Sequence, residues 1–348
     1  MNLKRSLSFA LAALSAIAAA WNGNGHQQVA DLAWVKLTHE SKLEIAKILA
    51  SGDSVTRGER TNDYSIPAPA GPISDEYLEK VVRPAFRKAA TWADDIKGGQ
   101  SAQYDAKIDA DNAASPGVHP PEGDTHRARG EDVRCKSWHY YDDPINAPGD
   151  KAAHAARDSN AVRALGIVRA SLEDQEKGAT PSRKEQLYDL FWIEHLFGDL
   201  VQPLHCSESY VLKPTGDAGG NGFLTMAPNT FRPGEPENLH SYWDAGIDHA
   251  IAADATLAAG ADIEKVTAAW TADANAAPSD QAVQDLDPMS WVHTGHDLAV
   301  KFVYGGIQPM GVPDEAYQKN QNDLCKKQAI LAGARMATYL NSVLKSRP

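Results

Sequence analysis

The sequence predicts a mainly α-helical protein of one domain, in which helices alternate with long loops. Apolar residues recur at helical spacing in most segments, which is the primary signal of amphipathic helices. Stretches rich in glycine, proline and aspartate separate these segments and indicate loops. The 348 residues contain neither a fixed-period repeat nor a clear linker, so a single large domain is the simplest interpretation.

The spacing of apolar residues and the content of glycine and proline predict the helices and loops along the chain. An apolar stripe over residues 29–49 predicts the first helical region. Residues 52–76 and 98–134 are rich in glycine, proline and aspartate, and we expect loops there. Residues 211–236 place glycine and proline around a short apolar patch at 223–226, and we expect a small hairpin. The remaining predicted helices span 77–96, 152–177, 182–202, 238–255, 262–273, 288–303 and 315–345.

Residues 1–20 have the features of a signal peptide. Lys4 and Arg5 form a basic start, residues 7–20 are apolar, and the alanines at 18–20 provide a cleavage site. The apolar run is too short for the alternative, a transmembrane anchor. We therefore expect a mature domain of residues 21–348 that is secreted or periplasmic and carries no transmembrane anchor.

Composition limits the function classes. Hydrophobic residues make up 43% of the chain and charged residues 23%, which is typical of a globular protein. The formal net charge is −12, which argues against binding of nucleic acid through a basic surface. Either the substrate is not a polyanion, or bound cations supply the attraction locally. Cys135, Cys206 and Cys325 allow at most one disulfide, and the sequence leaves its pairing open.

One stretch carries the strongest functional signal. His195 and Asp199 are four residues apart, which on a helix places both side chains on one face, one turn apart. Pro203 disfavours helical geometry at Gln202, and His205 follows just after the turn. Two imidazoles and a carboxylate that converge in this way suit a Zn²⁺ site. The alternative is a helix with ordinary polar residues, one of them a histidine satisfied in the core.

Further segments supply metal-ligand candidates. His26 lies beside glycine near the mature N-terminus, Asp94 lies near the end of a predicted helix, and His139 lies in an aromatic run. His240 and Asp244 repeat the spacing of four residues on a predicted helix. Each has a plainer alternative: a helix-cap residue, a solvated helix end, or a packed and hydrogen-bonded histidine. Together they add imidazoles and carboxylates, which are the ligand types of zinc sites.

With these residues in view, the chain resembles the S1/P1 nuclease family of trinuclear zinc phosphodiesterases, which is related in fold to zinc-dependent phospholipase C. The resemblance implies a mainly α, multi-helix catalytic domain over residues 21–348. It rests on motifs in family order: Trp-x4-His at Trp21, Trp-Ala-Asp at 92–94, Trp-His-Tyr at 138–140, His-x3-Asp-x2-Gln-Pro-Leu-His at 195–205, Gly-Asp-x-Gly-Gly-Asn at 216–221 and Leu-His-x2-Trp-Asp at 239–244.

The resemblance also implies three zinc ions and a set of nitrogen and oxygen ligands for each. The first set is Asp94, His139, His195 and Asp199. The second set is His205, His240 and Asp244. The third set is the amino nitrogen and carbonyl oxygen of Trp21, His26, and Asp199 as a bridging carboxylate.

The implied activity is hydrolysis of single-stranded DNA and RNA to 5′-phosphate products, together with 3′-nucleotidase activity. Asp94 and Asp199 would serve catalysis through the metal ions. Lys97 stands where the family often has an arginine, and it would stabilise transition-state charge as a point charge rather than a planar fork. Single-stranded nucleic acid is the implied partner, and no stable protein partner is implied.

Selection of single strands would come from stacking of splayed bases, which is worth about 1–3 kcal/mol per base. Tyr140 stands where the family presents an aromatic residue, and Asp142 would accept hydrogen bonds from a base edge. The alternative for Tyr140 is core packing. Gly246 stands where relatives carry a base-contacting asparagine, so base preference stays open. Asn221 is the candidate replacement, with a simple turn residue as the alternative.

Three function classes therefore remain. The first is the single-strand nuclease, which the motifs at 92–94 and 216–221 favour. The second is a zinc-dependent phospholipase C acting on lipid headgroup phosphodiesters, because a shared fold does not determine function. The third is a non-catalytic zinc-binding or adhesive protein, which a closed metal shell without room for water would support.

Overall fold

The computed structural model describes residues 21–51, 64–97, 136–146, 160–174, 183–227 and 235–344. The described chain is mostly helical, so the predicted mainly α class is confirmed. The predicted signal peptide, the predicted loop at 98–134 and part of the predicted helix at 152–177 lie outside the described residues. Cys206 and Cys325 are free and buried, and Cys135 lies outside the described residues.

The helices follow one another with short 3₁₀ and π-helical turns between them. The α-helices are α1 Gly23–Trp34, α2 His39–Leu49, α3 Asp75–Tyr77, α4 Arg83–Ala89, α5 Trp92–Lys97, α6 Ala161–Asp174, α7 Arg183–Asp199, α8 Leu239–Asp244, α9 Gly246–Ala253, α10 Ile263–Ala272, α11 Asp280–Gln284, α12 Pro288–Leu298 and α13 Glu315–Val343. The π-helical turns are Leu78–Val82 and Ala299–Tyr304, and the 3₁₀ turns are Lys136–His139 and Pro203–His205.

Several predicted helices are divided where the chain must turn. The first apolar stripe is broken because Thr38 caps α2, its hydroxyl accepting from the N–H of Ser41 at 3.2 Å. The helix predicted over 77–96 breaks after Ala90, between α4 and α5. The helix predicted over 182–202 ends at Asp199, because Pro203 starts a 3₁₀ turn.

Two short strand pairs lie beside the helices. Strand β3, Leu224–Thr225, pairs antiparallel with β4, Glu237–Asn238, so the expected small hairpin has its second strand just beyond residue 236. Strand β1, Pro144–Ile145, pairs in parallel with β2, Glu208–Ser209, a pairing that no sequence pattern indicates. This pair holds the segment after His139 against the segment after His205.

Helix α7 lies at the centre of the molecule. Helices α1, α2, α5, α6 and α13 all pack against it, and its residues from 186 onward are almost all buried. A helix that is surrounded on every side carries apolar residues all round rather than on a single stripe. Any polar side chain on α7 is therefore placed rigidly in the interior. No helix among the described residues is both long and apolar enough to cross a membrane.

Candidate metal centre

The end of α7 forms the middle of the candidate site. His195 and Asp199 are fully buried on one face of the helix, with Nε2 of His195 3.1 Å from Oδ2 of Asp199. Nδ1 of His195 donates a hydrogen bond to the carbonyl of Ala90 at 2.8 Å. That carbonyl is available because the helix breaks between α4 and α5. The bond fixes the ring, so that Nε2 faces Asp199.

His139 approaches the same point from its 3₁₀ turn. Its Nδ1 lies 2.8 Å from Nε2 of His195 and 3.2 Å from Oδ2 of Asp199. Asp94, on α5, brings Oδ1 to within 3.6 Å of the same His139 nitrogen. Two ring nitrogens at this separation either share a proton or face a common cation. The structure therefore brings together all four residues of the first ligand set.

The second set lies beside the first. Nδ1 of His205 lies 2.8 Å from the carbonyl of His139, and Nδ1 of His240 lies 2.6 Å from the carbonyl of Gly219. A ring nitrogen that donates to a carbonyl in this way turns the other nitrogen towards the site. The Nε2 atoms lie 3.7 and 3.3 Å from the carboxylate oxygens of Asp244.

The glycine-rich loop shapes the second set from outside. Gly219 has φ +60°, and a Cβ atom there would meet the carbonyl oxygen of Leu204 at 2.6 Å. Only glycine fits both constraints, and its carbonyl then orients His240. The loop motif is thus explained by its contact with a candidate ligand.

The third set lies where the N-terminal segment meets α7. His26 is fully buried, with Nε2 3.4 Å from Oδ1 of Asp199 and 4.0 Å from Oδ2 of Asp94. The indole nitrogen of Trp21 donates to the carbonyl of Gly198 at 2.8 Å. Trp21 is therefore buried beside His26, at the first position of the predicted mature chain.

The charges in this cluster oppose one another. Burial alone would raise the pKa of Asp199, but His195 and His205 outweigh it and lower that pKa well below its usual value. Burial and the neighbouring His195 lower the pKa of His26, against the opposing effect of Asp199. Burial lowers the pKa of His195, but the carboxylates of Asp199 and Asp94 outweigh burial, so that this pKa is raised above its usual value. A buried anion thus faces imidazoles that compete for the same protons.

The unpaired atoms of the cluster fit a metal ion. Apart from the ion-pair contacts given above, both ring nitrogens of His26 and both carboxylate oxygens of Asp199 are buried without a hydrogen bond, which is costly unless a further group pairs with them. Candidate ligand atoms lie within 4.8 Å of one another in three groups, His26–Asp94–His195, His139–His195–Asp199 and His205–His240–Asp244. Nitrogen and carboxylate ligands of this kind suit Zn²⁺.

The predicted substrate residues lie at the edge of the site. Tyr140 and Asp142 are half-buried in the segment after His139. Tyr141 packs against the hydrophobic core, whereas Tyr140 is not among the described residues that do so. The amide of Asn221 donates to the carbonyl of Ala218 at 2.8 Å, as a turn residue does.

The structure describes the surroundings of Gly246 but not the side chain of Lys97. Gly246 is buried, and a Cβ atom there would lie 2.5 Å from Sγ of Cys325. The departure from the family pattern at this position therefore has a packing reason. Lys97 ends α5, and its side chain lies outside what the structure describes.

Sequence reasoning missed the residues that orient the ligands. The sequence gives no indication that the carbonyl of Ala90 faces His195 or that the side chain of Gln202 bonds to Asp244. Backbone carbonyls leave no signal in the sequence. A glutamine directly before proline, between two candidate ligands, was the one available signal for Gln202.

The helical fold and the three buried histidine–aspartate groups define the class of protein as a candidate metalloenzyme. The chain matches the family model described as S1/P1 Nuclease over residues 21–345 and belongs to that family. It is therefore a phosphodiester hydrolase of a metal-dependent family. No curated protein matches the chain in a direct comparison.

Proposed function

We propose that the protein is an exported, zinc-dependent endonuclease that hydrolyses single-stranded DNA and RNA to 5′-phosphate products and also has 3′-nucleotidase activity. Family membership supports the reaction class. The observation that carries the metal proposal is the position of Asp199 between the groups of candidate ligands.

The two oxygens of Asp199 face different neighbours. Oδ1 lies 3.4 Å from Nε2 of His26, whereas Oδ2 lies 3.1 Å from Nε2 of His195 and 3.2 Å from Nδ1 of His139. A carboxylate whose oxygens are divided in this way suits a bridge between two metal ions. This arrangement supports the ligand sets that the family resemblance implies.

Three Zn²⁺ ions would be held by the three sets. The residues are Asp94, His139, His195 and Asp199; His205, His240 and Asp244; and the Trp21 backbone, His26 and Asp199. When bound, zinc neutralises phosphate oxygens and activates water at neutral pH. Three ions add about six positive charges at a site in an otherwise acidic chain. Lys97 would add one further positive charge for the transition state.

Selectivity for single strands would come from the edge of the site. Tyr140 is half-buried and would stack on a base, a contact worth about 1–3 kcal/mol. Asp142, two residues later, would accept hydrogen bonds from the same base. The side-chain nitrogen of Asn221 donates to the carbonyl of Ala218, so its side-chain oxygen is the atom that would contact the substrate.

Export is proposed from the sequence of residues 1–20, which lie outside the described residues. Cleavage after Ala20 would leave Trp21 as the first residue and free its amino nitrogen for the third ion. Activity would then develop only after the signal peptide has been removed.

A second candidate function, phospholipase C activity, is supported by exposed aliphatic side chains near the second ligand set. Leu224, Met226, Met310 and Val312 are all well exposed, and main-chain hydrogen bonds join residues 224–226 to 310–311. Leu224 pairs with Asn238, the residue that caps α8. Exposed apolar patches of this kind can mark contact with a lipid surface.

One comparison of products separates the two functions. Purified protein beginning at Trp21 would be incubated with single-stranded DNA, RNA and phosphatidylcholine, each with and without a chelator. We expect chelator-sensitive release of 5′-phosphate oligonucleotides, and we expect the Asp199→Asn variant to release much less. Release of phosphocholine without nucleic-acid cleavage would replace the proposal by the second function.

A further inference from the structure

Gln202 contacts three of the candidate ligand residues directly. It lies three residues after Asp199 and is fully buried. Its backbone N–H donates to the carbonyl of Asp199 at 3.0 Å, and its own carbonyl accepts from the N–H of His205 at 3.0 Å. Its side chain reaches Asp244, which lies on α8. Gln202 therefore joins the end of α7, the 3₁₀ turn and α8.

The orientation of the side-chain amide follows from its two partners. Oε1 accepts a hydrogen bond from the N–H of Leu204 at 2.6 Å. A backbone N–H can only donate, so the oxygen of the amide must face Leu204. Nε2 is then the atom that faces Asp244, and it donates to Oδ1 at 2.7 Å.

This hydrogen bond determines how Asp244 presents its carboxylate. With Oδ1 held by Gln202, Oδ2 is the oxygen that lies 3.3 Å from Nε2 of His240. Residues that hydrogen-bond a metal-binding carboxylate commonly affect metal affinity by roughly 10- to 100-fold. The amide also offers no charge of its own, so it does not compete with Asp244 for a cation.

We propose that Gln202 is a positioning residue for the zinc ion held by His205, His240 and Asp244, acting through its hydrogen bond to Asp244. The inference rests on the proposed function, because it assumes that this set binds zinc. It goes further by assigning the assembly of the second set to a residue that is not itself a ligand. The competing account is that Gln202 only caps the turn through Leu204.

A glutamate at this position separates the two accounts. Gln202→Glu keeps an acceptor for the N–H of Leu204 but replaces the donor to Asp244 by a second carboxylate. Gln321→Glu is the matched control, because Gln321 is also a fully buried glutamine that donates to α8. Its Nε2 bonds to the backbone carbonyl of Tyr242 at 3.0 Å rather than to a candidate ligand.

The experiment measures zinc per chain and zinc affinity, by metal analysis and competition with a chromophoric chelator. The proteins are the mature chain, Gln202→Glu, Gln321→Glu, Asp244→Ala and the double variant of Gln202→Glu with Asp244→Ala. Circular dichroism checks folding in each case. Because Gln202 acts through Asp244 in this account, its substitution should matter only while Asp244 is present.

We expect Gln202→Glu to bind one of its zinc ions roughly 10- to 100-fold more weakly, with the Gln321→Glu protein unchanged. In the Asp244→Ala background, Gln202→Glu should cause no further loss of zinc. If Gln202→Glu alone fails to fold, recovery of folding in the double variant supports the same conclusion. If the double variant also fails to fold while Asp244→Ala folds, the effect of Gln202→Glu does not depend on Asp244, and the inference is overturned.

Three further results overturn the inference, and they differ in what they leave of the proposed function. Unchanged zinc affinity in folded Gln202→Glu, or equal further loss in the Asp244→Ala background, removes Gln202 from the site but leaves the proposed function intact. A mature chain that binds no zinc would overturn the inference together with the proposed function.

Discussion

Gly198 and His26 are in such close contact that a Cβ atom at position 198 would lie 2.8 Å from Nδ1 of His26. Gly198 lies between Phe197 and Asp199 near the end of α7 and leaves the space that the imidazole occupies. The N-terminal segment can approach the central helix here only because no side chain intervenes.

Gly198→Ala should therefore displace His26 and weaken the third ligand set. We expect the variant to bind about one zinc ion fewer and to lose most of its nuclease activity. Gly166→Ala is the matched control, since Gly166 lies in helix α6 and a Cβ atom there would meet nothing within 4 Å. That control should retain zinc and gain up to about 1 kcal/mol of stability. Full zinc content in Gly198→Ala would contradict the placement of His26.

Asp199→Asn should reduce activity more than Asp94→Asn. Asp199 is proposed to bridge two ions, whereas Asp94 is proposed to bind one. Turnover of single-stranded DNA and zinc content would be measured for both variants. Equal losses of activity with equal losses of zinc would argue against a bridging role.

Tyr140→Ala should weaken binding of single-stranded oligonucleotides while zinc content stays at the wild-type value. Loss of one stacking contact corresponds to about 1–3 kcal/mol of binding free energy. Tyr141→Ala serves as the control for lost packing, because Tyr141 packs against the core. Core packing of Tyr140 would instead appear as a lower melting temperature with unchanged oligonucleotide affinity.

The presence of the helices and the spacing of the candidate ligands could be predicted from the sequence. The backbone contacts that orient these ligands could not. The four-residue spacing of His195 and Asp199 follows from helical period, and α7 places both on one buried face. The break after Ala90 depends on tertiary packing, and it provides the carbonyl that orients His195. The parallel pairing of β1 with β2 joins residues far apart in sequence, so no local pattern predicts it.

The N-terminus provides a separate test of the third set. Asn22 donates its N–H to the carbonyl of Asp244 at 3.1 Å, and its side chain caps α1. Trp21, the neighbour of Asn22, is therefore held beside the second ligand set. A chain with one extra glycine before Trp21 should bind about one zinc ion fewer, because its residue-21 nitrogen would be an amide, a poor metal donor. Equal zinc content and equal turnover in the two forms would remove the Trp21 amine from the site.

The central claim is that the buried histidines and aspartates form a centre for three zinc ions, and metal content tests it most directly. Mature protein beginning at Trp21 would be loaded with zinc, freed of excess by gel filtration and analysed for zinc per folded chain. The account predicts three zinc ions per chain. Active, folded protein that retains at most one zinc ion per chain would contradict it.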